Sequence, residues 1–336
     1  MLRTRPHWTW IFGLAASCSV VSLGCSSIQE YRGEHFARRG DRYMAEADFD
    51  AALAEFQAAV QINPRLAYAH SRIGSIRRQR GNYEAAYRAF ADALKFDPYS
   101  FDDALNLGQV AYLLHQLGDA IRAYLHACDL SPNNFESHMN LGVCYHQQGE
   151  LEQAEIYYRK AIEIDSGNAF ARSNLGAVHD MQGRYYEAIH SYKDSLELDT
   201  KQPMILVNLG TTYLKQDRIG LALGTFRAVL ELDPHLAVAH ERIGYCMFLR
   251  KQYKQAEERY NQAVGYDDGL ASAHAGLGVT KMAQFLRKRE DAGMRDEAVE
   301  CWHRSLEIDP DQPRIRKLIA KYRMRPLEEE QFLLGQ

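Results

Sequence analysis

Residues 136–149, ESHMNLGVCYHQQG, decide the fold because one of their tripeptides recurs at a fixed interval. Asn-Leu-Gly begins at Asn106, Asn140, Asn174 and Asn208, and each copy lies 34 residues after the one before it. The apolar residues around Asn140 follow helical spacing, so asparagine returns four times to one slot of a helix. A fixed period of this length predicts a repeat architecture.

Small, aromatic and proline residues keep the same period along most of the chain. Glycine stands at the eighth place of each unit: Gly40, Gly74, Gly108, Gly142, Gly176, Gly210, Gly244 and Gly278. Alanine follows twelve residues later: Ala52, Ala86, Ala120, Ala154, Ala188, Ala222 and Ala256. An aromatic residue comes four further on: Phe56, Phe90, Tyr124, Tyr158, Tyr192, Phe226 and Tyr260. Most units end at a proline: Pro64, Pro98, Pro132, Pro234 and Pro310.

These positions indicate antiparallel helix pairs. Glycine and alanine let two helices approach closely, and the aromatic ring fills the space between neighbouring pairs. Proline ends each second helix because it cannot continue the backbone hydrogen bonding. One pair cannot bury its apolar face alone, so the units are expected to stack into a solenoid.

The repeats resemble the tetratricopeptide repeat, and the match covers about residues 33–310. The resemblance implies an all-α fold, a right-handed α-solenoid of about eight helix pairs over residues 33–312. Its first helices would line the concave surface. Residues 313–325 are expected to form a helix that caps the open end, followed by a tail over residues 326–336.

Two departures from the repeat lead to structural expectations. Gly118 lies only two residues before Ala120, whereas Gly81 and Gly149 lie five before theirs, so the third turn is expected to be displaced. The eighth unit holds eight extra residues near 281–292. We expect them to lengthen its first helix by about two turns, or ~12 Å.

Residues 1–24 have the features of a lipoprotein signal peptide. Arg3 and Arg5 precede an apolar run over residues 8–23 that is too short to span a bilayer comfortably. The segment SLGC, ending at Cys25, resembles a bacterial lipobox with its leucine one place late, which implies cleavage before Cys25 and its lipidation. An ordinary cleaved signal, a retained anchor and cleavage at Cys18 are the alternatives. Residues 25–32 would then be a linker.

The sequence offers no sign of catalysis, a cofactor or a metal. It has no phosphate-binding loop, nucleophile elbow, zinc-protease motif or dinucleotide fingerprint. His70, His138, His240 and His274 share the fourth place of their units, too far apart to share one ion, so half-buried helix contacts are expected. The cysteines inside the repeats are expected to be buried free thiols. The formal charge of −4 argues against nucleic-acid binding.

The recurring asparagines lead to the functional hypothesis. The sixth place of each unit reads Arg38, Arg72, Asn106, Asn140, Asn174, Asn208, Arg242 and Gly276. A side-chain amide both donates and accepts hydrogen bonds, so a row of amides suits the main chain of a bound polypeptide. This resembles the asparagine ladder in the repeats of O-linked GlcNAc transferases. Asparagine here is also a consensus packing residue of the repeat, which leaves a purely structural role open. Phe170 and Met204 are expected to make the middle of the groove apolar.

The sequence therefore predicts a lipid-anchored adaptor of a bacterial cell envelope, exported and facing the periplasm. Its partners would be polypeptides held in the groove, as in lipoproteins that assist secretin or pilus assembly or tether envelope peptidases. A second hypothesis is a structural scaffold that forms a homo-oligomer through its exposed end and the unit that holds Trp302. A third is the non-catalytic repeat subunit of an enzyme complex.

Overall fold

The computed structural model describes residues 12–288 and 292–322, and every regular element in these ranges is an α-helix. The chain divides into two halves, Met1–Asp165 and Ser166–Gln336. The first half contains α1 (Phe12–Ala45), α2 (Phe49–Ile62), α3 (Ala67–Gln79), α4 (Tyr83–Phe96), α5 (Phe101–Leu113), α6 (Leu117–Leu130), α7 (Phe135–Gln148) and α8 (Leu151–Ile164). The second half contains α9 (Ala169–Met181), α10 (Tyr185–Leu198), α11 (Pro203–Lys215), α12 (Ile219–Leu232), α13 (Ala237–Leu249), α14 (Tyr253–Tyr266), α15 (Ala271–Lys288), α16 (Ala292–Ile308) and α17 (Pro313–Tyr322).

Within each half the helices pack in sequence order. Each first helix packs against its own second helix, as α3 does against α4 and α11 against α12. Each second helix then packs against the first helix of the next pair, as α4 does against α5 and α12 against α13. The predicted all-α fold of eight helix pairs, closed by a further helix, is confirmed.

The eight recurring glycines stand where an aromatic ring of the paired helix comes closest. A Cβ atom added at Gly142 would lie 2.5 Å from Cε1 of Tyr158, and one added at Gly210 would lie 2.5 Å from Cε1 of Phe226. These distances are shorter than a van der Waals contact, so the close approach needs glycine. In the eighth pair Gly278 faces Trp302, which is fully buried.

Trp302 is therefore the eighth aromatic of the repeat, displaced by the insertion. Its indole Nε1–H donates to the carbonyl of Ala275 at 3.3 Å, and Ile315 and Ile319 of α17 pack in the same core cluster. Trp302 itself offers no surface to the hypothesised homo-oligomer, because its side chain is fully buried. Helix α17 covers this end of the core, as a capping helix should.

Aspartates at the ends of the second helices turn the chain, with or without a following proline. The carboxylate of Asp97 accepts a hydrogen bond from the backbone N–H two residues later, before a proline-containing loop. Asp199 and Asp267 do the same in units that lack the closing proline. The aspartate is therefore sufficient to form the bend.

The turn in the third repeat is not displaced, contrary to the expectation drawn from Gly118. Gly81, Gly149 and Gly183 adopt positive φ between paired helices, and His115 takes the corresponding position with φ of 58°. Gly118 instead lies inside α6. The register is kept because a histidine tolerates the left-handed conformation at moderate strain.

The insertion in the eighth repeat is shared between two helices. Helix α15 has 18 residues and α16 has 17, whereas α13 has 13 and α14 has 14. The first helix is thus longer by about 8 Å at 1.5 Å per residue, not by the two turns expected from the sequence. Residues 289–291 of the insertion lie outside the described residues.

Helix α1 includes the predicted linker, residues 25–32, and part of the predicted signal peptide. Residues 1–11, the side chain of Cys25, the last residues of the predicted cap (323–325) and the predicted tail (326–336) lie outside the described part. Among the helices described, none is long and apolar enough to cross a membrane. Cleavage before Cys25 and its lipidation stay predictions.

Candidate functional site

The sixth-place residues of the first half are largely engaged in hydrogen bonds of their own. Arg72 Nε donates to the Tyr68 hydroxyl at 2.9 Å, and that hydroxyl donates to Asp41 at 2.6 Å. The amide oxygen of Asn106 accepts from Arg78 Nη1 at 2.7 Å. Two of the predicted binding residues therefore serve contacts between neighbouring first helices.

Arg78 extends this network, which was not expected from the sequence. It also donates to Gln109, whose amide donates in turn to Glu136 at 2.7 Å. Asn140 differs from Asn106, because its half-buried side chain makes no hydrogen bond within residues 12–288 and 292–322. A ligand of the first half would compete with these internal bonds everywhere except at Asn140.

The sixth-place row of the second half is more open. Asn208 is exposed and Asn174 is half-buried, and neither side chain hydrogen-bonds to another described residue. Arg242 lies 3.4 Å from the carboxylate of Glu241 with a third of its side chain exposed. Because α9 contacts α11 and α11 contacts α13, these three residues form a row along neighbouring helices.

Exposed apolar side chains flank this row on both sides. Places two, six, nine and thirteen of a helix fall within about 60° of one another at 3.6 residues per turn, so they share one face. In the second half this face, here named the first-helix surface, comprises Phe170, Asn174, Met181, Met204, Asn208, Arg242, Tyr245 and Leu249. Phe170 is 66% exposed, Met181 58% and Met204 54%. Large apolar side chains exposed this far, on one face, are typical of an interaction surface.

The sequence argument did not single out every residue of this surface. Tyr245 and Leu249, which were not singled out, are exposed on the first-helix surface. The 34-residue register predicts both, since they stand at places nine and thirteen of their unit, as Thr211 and Lys215 do in the preceding one.

Glu241 is a buried acid beside this surface and has no equivalent in the other repeats. It is 5% exposed, and its Oε2 atom and Arg242 Nε lack any hydrogen-bond partner. Burial raises the pKa of Glu241, and the neighbouring Arg242 guanidinium opposes that shift. Val207 and Met139 fill the corresponding fifth place in other repeats.

Replacing Glu241 with methionine is expected to stabilise the protein at neutral pH by about 1–3 kcal/mol, the range for a buried polar group that lacks a hydrogen bond. When folding raises the pKa of a carboxyl group, the protein loses stability as the pH rises from the pKa of that group in the unfolded state through its pKa in the folded state. The gain should therefore shrink as pH falls through the raised folded pKa, and be smallest below about 4, the ordinary pKa of glutamate. Urea unfolding of both proteins across pH 3–8 measures it, and a gain that grows toward acid would contradict the account.

The fourth-place histidines have a structural role. In each, Nε2–H donates to the backbone carbonyl of the residue six places earlier, in the loop that precedes the helix. The pairs are His70 to Pro64 (2.9 Å), His138 to Pro132 (2.8 Å), His240 to Pro234 (3.0 Å) and His274 to Asp268 (3.1 Å). All four are buried rather than half-buried as expected. Arg172 donates to the carbonyl of Ser166 in the same way, so an arginine can take the role of the histidine at this place.

The cysteines inside the repeats are free thiols, as predicted. Cys144 and Cys246 are buried as expected, whereas Cys128 and Cys301 are only half-buried, contrary to the expectation. Burial raises the pKa of Cys144 to about 12 and that of Cys246 to about 11, so both stay protonated at neutral pH. Within the described ranges, no group of three or more His, Cys, Asp or Glu residues is arranged to hold a metal ion.

The helix pairs, the glycine-to-aromatic contacts and the closing turns together define a tetratricopeptide repeat protein. The sequence matches the family described as the Cilia and flagella-associated protein 70 C-terminal domain over residues 44–282, which is more than half of the chain. The chain belongs to this family. No curated protein matches it.

Solved structures share the fold at low sequence identity. The C-terminal part of a TPR repeat-containing protein from Cytophaga hutchinsonii is 17% identical, with a TM-score of 0.59, 73% of this chain covered and 98% of the other. PilF of Pseudomonas aeruginosa is 21% identical, with a TM-score of 0.54, 67% of this chain covered and 98% of the other. The APC/C hetero-tetramer Cut9-Hcn1 is 18% identical, with a TM-score of 0.57 and 81% of this chain covered. This chain covers only 52% of that one, and these likenesses concern the fold alone.

Proposed function

We propose that this protein is an adaptor that holds an extended or helical segment of a partner polypeptide on the first-helix surface of its second half. Its fold supports protein–protein interaction as the general role, and no catalytic family is indicated. The observation that carries the finer proposal is the set of exposed apolar side chains on that surface. Phe170 and Met204 extend from equivalent places of α9 and α11.

The chemistry of the row suits main chain as well as side chains. Neighbouring helix axes are about 10 Å apart, and an extended peptide advances about 3.3 Å per residue. One amide would therefore meet about every third peptide group. Asn174 and Asn208 can each donate to a carbonyl and accept from an N–H, while Phe170 and Met204 contact apolar side chains of the partner. Methionine adapts to varied partner shapes.

The contrast between the two halves supports the second as the binding half. In the first half, a ligand would have to displace the bonds from Arg78 to Asn106 and from Arg72 to Tyr68. In the second half, the amides of Asn174 and Asn208 lose only bonds to water. Binding there leaves fewer polar groups without partners.

We also propose that the protein is anchored in a bacterial cell envelope through a lipid on Cys25, facing the periplasm. The support is the lipobox-like segment that ends at Cys25 and the apolar run before it. The mass of the N-terminal peptide from the membrane fraction tests this proposal. An unmodified Met1 terminus would rule it out.

Site-specific photo-cross-linking tests the adaptor proposal. A photoreactive phenylalanine analogue at position 170 should cross-link to partner polypeptides in the living cell, and mass spectrometry then identifies the contacted segment. Tyr186 is the matched control position, because it is an aromatic residue of the same half, 71% exposed, but on the second helix α10. Equal cross-linking from both positions, or none from position 170, would rule the proposed surface out.

A further inference from the structure

A cavity of about 400 Å³ lies in the second half. Its wall is formed by the turn between α13 and α14 and by the last part of α15. Gln284 and Arg287 belong to the five residues by which α15 exceeds α13, so the insertion of the eighth repeat builds this wall. The cavity is lined chiefly by Lys251, Lys254, Arg287, Gln252, Gln284 and Tyr253.

Three cations face this cavity, and no described acid pairs with them. The side chains of Lys251, Lys254 and Arg287 form no ion pair or hydrogen bond within the part of the chain that the structure describes. Glu257, a carboxylate of α14, is already engaged, since it accepts from Gln284 at 2.7 Å and pairs with Lys281 at 3.1 Å. The lining therefore carries three positive charges and several neutral donors, and its described residues include no acid.

Two of these cations stand at positions where other repeats have an acidic residue or a glycine. Lys254 is the second residue of α14, whereas α2, α4 and α8 carry Asp50, Glu84 and Glu152 there. A lysine at this end faces the positive pole of the helix dipole, which is unfavourable unless an anion lies nearby. Lys251 has a φ of 61°, a conformation that suits glycine and that Gly149 adopts in the corresponding turn.

We propose that this cavity binds a phosphate group, as a free phosphorylated compound or as a lipid headgroup. A phosphate carries up to two charges and accepts hydrogen bonds in several directions, which matches cations and amides converging from two helices. A single carboxylate would be satisfied by Arg287 alone. The volume is within the range of small-ligand sites.

Calorimetric titration of the full chain with pyrophosphate, and with acetate for comparison, tests the proposal. We expect one pyrophosphate per chain, with binding weakened by about tenfold or more in Arg287→Gln and in Lys254→Gln. Lys251→Gly should weaken binding and at the same time raise Tm, because it removes a charge and relieves the positive φ. That opposite response separates loss of the site from loss of the fold.

Lys193→Gln is the matched control, since it makes the same charge change at an exposed lysine of α10 in the same half. Flotation with phosphatidylcholine vesicles, with and without phosphatidic acid, distinguishes the two sources. If the protein binds vesicles with phosphatidic acid and Arg287→Gln abolishes that binding, the ligand is a lipid headgroup. If the protein binds pyrophosphate but not these vesicles, and Arg287→Gln abolishes that binding, the ligand is a soluble phosphorylated compound. The proposal is overturned if neither binds, if acetate binds as tightly as pyrophosphate, or if Lys193→Gln weakens binding as much as Arg287→Gln.

Discussion

A Phe226→Ala variant is expected to lose about 3–5 kcal/mol of unfolding free energy, the range for truncating a buried aromatic side chain. Phe226 has no exposed surface, and its ring lies against the glycine of the paired helix, where no Cβ separates the two helices. Truncation leaves a cavity that rigid helices cannot close. Urea unfolding followed by circular dichroism measures the loss. Leu221→Ala is the control on the same helix, because Leu221 is 52% exposed, and its change should stay within about 0.5 kcal/mol.

Gly210→Ala tests the other side of the same contact. Its Cβ would overlap the Phe226 ring and should destabilise the protein by about 1–3 kcal/mol, as overpacking does. Gly224, in the same half, has nothing within 4 Å of a Cβ, so Gly224→Ala should be stabilising by up to about 1 kcal/mol. In the double variant Gly210→Ala/Phe226→Ala, the methyl group introduced at position 210 enters the cavity left by the Phe226 ring. The double variant should therefore lose less unfolding free energy than the sum of the losses in the two single variants. If the losses of unfolding free energy in the two single variants add up to the loss in the double variant, Gly210 and Phe226 do not form one packing contact.

The double variant Phe170→Ala/Met204→Ala is expected to weaken partner binding by about 30-fold, or about 2 kcal/mol, the effect of losing an interface anchor. Both side chains are more than half exposed, so stability should change by less than about 0.5 kcal/mol. The peptide cross-linked at position 170, synthesised and titrated by fluorescence anisotropy, gives the affinity.

The control for Phe170→Ala/Met204→Ala removes exposed apolar side chains from the second helices instead. Tyr186→Ala/Leu221→Ala truncates side chains that are 71% and 52% exposed on α10 and α12. Peptide affinity should be unchanged in this variant. If it falls as far as in Phe170→Ala/Met204→Ala, the binding energy is not located on the first-helix surface.

The repeat made most of the fold predictable from sequence. The glycine at place eight and the aromatic sixteen residues later take part in a single contact, so their shared period predicts which helices pair. Local chemistry was harder to read. The position of Gly118 suggested a displaced turn because glycine is the usual residue at positive φ, yet His115 adopts that conformation.

The site was predictable only in part, because side-chain partners depend on which helices are neighbours. Asn106 and Asn208 share the Asn-Leu-Gly tripeptide and the same place in the repeat, but Arg78 hydrogen-bonds to the side chain of the first and no described residue does so to the side chain of the second. The sequence does not rank one asparagine above another. Trp302 shows the same limit, since an eight-residue insertion hid its place in the register as the eighth core aromatic.

Hydrogen–deuterium exchange of the full chain with and without the cross-linked peptide tests the central claim most directly. The account predicts that the peptide slows exchange in α9, α11 and α13 and leaves α10, α12 and α14 unchanged. Slower exchange confined to the second helices, or to the first half, would contradict it.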